Sequence, residues 1–107
     1  TRVSTYGLVD TGSDLNILPY SLGIRLGLKW QDAKPMGFVR GALERTEGRG
    51  AFVRVQIGHL PVLPLIFLWL KSDDAPLLFG VTDFFIEYDI CFFQSRGFFE
   101  ITQRANP

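Results

Sequence analysis

The sequence predicts a single all-β domain spanning residues 1–107. Three observations carry that prediction. Gly and Pro interrupt the chain about every ten residues, as turn residues do between short strands. The segments between them are rich in Val, Ile, Leu, Phe and Tyr, which suit a pleated, half-buried surface. Hydrophobic residues make up 47% of the 107, and ten residues are Phe. That is enough for one core, in a chain too short for two domains.

Arg2 to Val9 reads as a strand running into a turn at Asp10-Thr11-Gly12-Ser13. Leu15 to Leu18 is a second short strand, closed by Pro19. Beyond it, Leu22, Ile24 and Leu26 suit one or two helical turns ended by Gly27. Gly37 to Val55 reads as a hairpin, with Gly37–Arg40 running out and Ala51–Val55 returning. The glycine-rich, charged stretch between has little to bury and is expected to be a mobile tip. The Arg and Glu residues from Arg40 to Arg54 read as a solvated face. Phe52 to Ile57 alternates as a half-buried strand does, and Leu63 to Leu70 is apolar enough for a central or interface strand. Asp73-Asp74 is a polar turn and Pro76 to Gly80 a short apolar strand. Thr82 to Tyr88 suits a short helix capped by Thr82 or Asp83. Asp89–Phe93 and Gly97–Thr102 form a last hairpin. The Phe-rich segments (Phe84, Phe85, Phe92, Phe93, Phe98 and Phe99) read as core or interface.

Composition excludes several functions. Eleven basic residues balance eleven acidic ones, and they are scattered, so nothing draws the chain to nucleic acid or an anionic surface. Cys91 is alone, which rules out an internal disulfide and a cysteine-rich metal site. Its apolar neighbours suit a buried, inert thiol. His59 is also alone, in a turn-like Gly58-His59-Leu60-Pro61 context with no orienting partners for nucleophilic catalysis. The longest apolar stretch, Leu60 to Leu70, contains two prolines and falls short of the roughly 20 residues of a membrane span. The chain opens on Thr1 without a signal-peptide pattern, as expected of a piece of something longer. It assigns no cellular location.

Chemistry concentrates at Leu8-Val9-Asp10-Thr11-Gly12-Ser13. Asp10 follows two apolar strand residues directly, and turn amides beyond it can hold a carboxylate in a fixed orientation. Gly12 is free to adopt positive φ and admit a second chain closely. Thr11 can hydrogen-bond across a symmetric contact. A bare Asp-Thr-Gly arises by chance in roughly one chain of this length in fifty, but the flanking apolar strands sharpen the signal. The simplest alternative is a turn carboxylate that caps local amides. Hydrolysis by acid–base chemistry needs one group to take a proton from water while another protonates or polarises the carbonyl. No second Asp-Thr-Gly or Asp-Ser-Gly occurs in the chain. A second catalytic carboxylate therefore has to come from a second copy, with Asp10 facing Asp10 across a two-fold axis.

Over nearly its whole length the chain resembles the retropepsin-like aspartic proteases, a group that includes the retroviral enzymes. Leu8 to Ser13 is similar to their catalytic loop, and Gly37 to Val55 to the flap that closes over a peptide. Pro76 to Gly80, with the helix expected after it, is similar to the second signature that packs behind that loop. The resemblance implies a closed, barrel-like β domain with one short helix, working as a homodimer on polypeptide substrates without metal or cofactor. It implies that Asp10, Thr11 and Gly12 are catalytic, with Thr11 gripping its partner across the axis and Ser13 supporting the dyad. Asp14 and Leu15 through Ile17 would continue along the substrate cleft. Ile17, Pro76 and Leu78 would line pockets for large hydrophobic side chains, and Gly41, Ala42 and Leu43 would form the flap tip.

Three departures accompany the resemblance. Many members carry Arg at the position of Val81, paired with the acid that Asp14 matches. The flap tip holds less glycine than usual. Only nine residues precede Asp10, so an N-terminal strand that helps dimers form is expected to be missing. These departures motivate the alternative of a non-enzymatic dimerisation or peptide-binding module on the same fold.

Overall fold

A computed structural model describes residues 2–10, 12–40, 45–80, 88–93 and 98–103. It is mostly β. In chain order the elements are β1 (Leu8–Val9), β2 (Asn16–Leu18), helix α1 (Tyr20–Arg25), a single 3₁₀ turn (Trp30–Asp32), β3 (Pro35–Arg40), β4 (Arg45–Val55), β5 (Leu63–Leu70), β6 (Leu78–Phe79), β7 (Tyr88–Phe93) and β8 (Phe98–Gln103). Six strands form one mixed sheet in the order β1-β6-β2-β5-β4-β3, while β7 and β8 pair antiparallel as a separate hairpin.

The central strand is β5, as its apolar run predicts. It pairs parallel with β2 and antiparallel with β4. One face of the sheet carries the main core: Leu18, Ala51, Leu65, Phe67, Trp69 and Phe79, covered by Leu22 of α1 and by Trp30. Leu18, Leu65 and Phe67 are 1% exposed or less, each contributing roughly 1.5–3 kcal/mol of burial. The other face carries Ile17, Leu68 and Leu70, with Ala75 and Leu78 packed against them.

Helix α1 ends as its sequence foretells. Gly27 adopts φ +88°, and the amides of Gly27 and Leu28 donate to the carbonyls of Ile24 and Gly23, the paired bonds of a Schellman cap. Gly23 lets the helix lie on β5, since a Cβ there would strike the Trp69 indole. Trp69 in turn donates from Nε1 to the Tyr20 carbonyl at 3.1 Å and stacks on the Tyr20 ring.

Four expectations are corrected. Arg2–Gly7 is not strand: only Leu8 and Val9 enter the ladder, opposite Leu78 and Phe79, the two residues that make up their partner β6. The hairpin turns earlier than its glycines suggest. β4 begins at Arg45, and Arg45–Arg49, rather than Ala51–Val55, pairs with β3. Gly48 is buried against Leu68, where any Cβ would collide, and Gly50 lies against Met36, so these two glycines serve close packing within β4; the rest of the expected tip, residues 41–44, lies outside the described residues. Arg49 is no solvated charge either. Its Nη1 donates to the Trp30 carbonyl at 2.7 Å and its guanidinium lies 4.6 Å from the centre of a Trp30 ring. Finally, the sheet is open rather than a closed barrel, with β1 and β3 at its edges. The helix expected at Thr82–Tyr88 lies mostly outside the described residues, although Tyr88 itself opens β7. The Phe-rich segments from Phe84 to Phe99 also fall outside the described side chains.

Candidate active site

Asp10 sits where β1 ends. Strand β6 lies between β1 and β2, parallel to the first and antiparallel to the second. The connection from β1 to β2 must therefore pass over the end of β6, and that connection is the loop bearing Asp10. The Asp10 amide donates to Phe79 O at 3.0 Å, so the residue is still held by the sheet. The Ser13 amide returns to Asp10 O at 3.2 Å, closing the expected turn.

The carboxylate is oriented by its own loop. Gly12 N–H donates to Asp10 Oδ1 at 2.8 Å. Gly12 acts here as an amide donor; among the described residues only Gly27 and Gly58 have positive φ, so its expected dihedral role is not the one it performs. Asp10 is exposed, which leaves it reachable by water or a second chain. Ser13 directs its hydroxyl to Leu15 O at 2.7 Å, bracing the loop and not the carboxylate.

Support from below comes through Gly80 and Asn16. A Cβ on Gly80 would stand 2.5 Å from Leu15 O and 2.7 Å from Ser13 O, so only glycine lets β6 end beneath the loop. The Gly80 amide donates to Asn16 Oδ1 at 2.9 Å, and Asn16 Nδ2 donates to Ile66 O at 2.9 Å. Asn16 is 1% exposed. One buried amide side chain therefore ties β2, β5 and the end of β6 together directly behind the Asp10 loop, in a setting where such bonds are strong and their loss costly. Sequence reading overlooked it. The signal was a polar residue alone in the apolar run Leu15-Asn16-Ile17-Leu18.

The expected pocket residues are partly assembled. Ile17 and Leu78 face one another across the β2–β6 ladder on the side of the sheet away from the main core. Leu8 pairs with Leu78, and the two-residue alternation carries Asp10 towards that same side. Pro76 is exposed in the approach to β6. Asp14 is exposed and forms no ion pair among the described residues. Thr11, Gly41, Ala42, Leu43 and Val81 lie outside the described residues. No group of three His, Cys, Asp or Glu suited to a metal occurs among the described residues. Set against models of known families, curated proteins and solved structures, the chain finds no match.

Proposed function

We propose that the chain is an aspartic endopeptidase with a retropepsin-like fold, working as a two-fold homodimer. The carrying observation is the Asp10 loop: an exposed carboxylate fixed by Gly12 N–H, on a loop braced by Gly80 and Asn16. Such rigidity suits a group that must meet its twin within hydrogen-bond reach. Two carboxylates in contact hold one proton between them, because paired negative charges so close are costly. The ionised member takes a proton from water. The protonated member gives its proton to the scissile carbonyl oxygen as the water oxygen bonds to carbon. Collapse of that tetrahedral species, with a proton passed to the leaving nitrogen, breaks the C–N bond and needs no metal or covalent intermediate. Ile17 and Leu78 favour large hydrophobic side chains beside the cleaved bond.

The test is cleavage of an unfolded protein substrate, assayed alongside sedimentation of the same samples. Asp10→Asn removes both carboxylates of the dimer and should lower cleavage by at least about 10³-fold while the protein still sediments as wild type. A mutant that cleaves as well as wild type would sink the proposal. A second reading is favoured by the exposed Asp14 and by Val81 in the place where relatives pair an Arg with that acid: a peptide-binding or dimerisation module that does no chemistry. Dimers that never cleave between acidic and neutral pH would select it.

A further inference from the structure

The hairpin of β3 and β4 outruns the rest of the sheet. Strand β4 pairs with β5 only from Gly48 onward, while Arg45, Thr46 and Glu47 pair with Arg40, Val39 and Phe38 of β3. These residues form a two-stranded arm beyond the end of β5. A backbone bond ties the arm to the chain leaving β5, from the Lys71 amide to Glu47 O at 3.0 Å.

Arg49 adds a side-chain tie at the base of the arm. Its Nε donates to Glu47 Oε2 and its Nη1 to Trp30 O, both at 2.7 Å. A planar guanidinium can serve two such acceptors at once. It also lies over the indole, 4.6 Å from the centre of a Trp30 ring. Trp30 is a fixed post, 8% exposed and packed edge-on against Tyr20 and Trp69.

A second cation meets the same indole. Lys71 is an exposed residue, and its Nζ stands 5.4 Å from the centre of a Trp30 ring, inside the ~6 Å reach of such contacts. Like charges crowded on one indole repel, so each weakens the hold of the other. The Arg49 and Glu47 side chains are 21% and 35% exposed, so water can take the place of their pairing.

We propose that Arg49 and Lys71 form a two-state latch on Trp30. With Arg49 on the indole, the arm is held to the sheet. With Arg49 withdrawn into water, Lys71 takes the indole, its amide parts from Glu47 O, and the arm turns at Gly48, where β4 meets β5. Each state keeps one cation on the ring, which holds the two close in free energy. The device is carried by contacts among Trp30, Glu47, Arg49 and Lys71, and it stands whether or not Asp10 does chemistry.

Hydrogen exchange of the whole chain, followed amide by amide, tests the latch. The amide of residue 71 reports the arm, and those of Leu65 and Phe67 report the sheet. Arg49→Met keeps an apolar stem but removes the tie, so protection at residue 71 should fall about tenfold while Leu65 and Phe67 keep theirs. Lys71→Met removes the competing cation and should raise protection at residue 71 about threefold. Protection at residue 71 unchanged in Arg49→Met would overturn the proposal. So would a loss shared equally by Leu65 and Phe67, which would mark Arg49 as a support of the whole fold. A Lys71→Met protein no better protected than wild type would overturn it as well.

Discussion

Two residues behind the Asp10 loop govern whether its carboxylate is held in place. Replacing Gly80 with Ala drives a methyl group into the Leu15 and Ser13 carbonyls. These are backbone atoms and cannot swing aside as a side chain would. We expect Gly80→Ala to cost about 1–3 kcal/mol, read as a lower urea midpoint, and to lower cleavage further by displacing the loop. Asn16→Leu keeps the volume but takes the acceptor from the buried Gly80 amide. An orphaned buried donor costs about 1–3 kcal/mol, so this variant should also melt earlier. An Asn16→Leu protein as stable as wild type would show that the tie is dispensable. Asp10 was legible because its neighbours form a motif. Asn16 was not, because its role depends on Ile66 and Gly80, each at least fifty positions away.

At the scale of elements, local signals were reliable where local chemistry decides. Gly27 stops α1 because it alone near that end takes φ +88° without strain. Gly27→Ala should cost about 1–2 kcal/mol, although nothing stands near the added methyl, and thermal melting will report it. Gly48 and Gly50 misled for the opposite reason. Glycine suggests a turn, yet these two lie in β4 because Leu68 and Met36 occupy the space a side chain would need. The Arg49 charge likewise read as solvated, whereas Trp30, nineteen positions earlier, holds it by a hydrogen bond to its carbonyl and by its ring. Strand β5 was recognised correctly because a strand covered on both faces needs an apolar run, and Phe67–Leu70 is buried on both.

For the whole molecule, the proposed shared dyad makes activity a property of pairs. Cleavage per chain should fall on dilution through the dimer dissociation range, measured by initial rates beside sedimentation. Mixing wild type with an equal amount of Asp10→Asn gives a sharper check. With random exchange only about one dimer in four keeps two carboxylates, so the rate per dimer should drop to about a quarter of that of pure wild type. A rate that halves instead would mean each chain works alone.

The sequence by itself determined the β class, the positions of most strands, the end of α1 and the carboxylate on which the proposed chemistry rests. These follow from side-chain periodicity, glycine geometry and a short motif, all carried by neighbouring residues. The tertiary structure decided the rest: that β6 slips between β1 and β2 beneath the Asp10 loop, that Asn16 fastens that crossing, and that β5 lies between β2 and β4. Strand order and register arise from contacts between residues far apart in the chain. Their energies appear only once those residues meet.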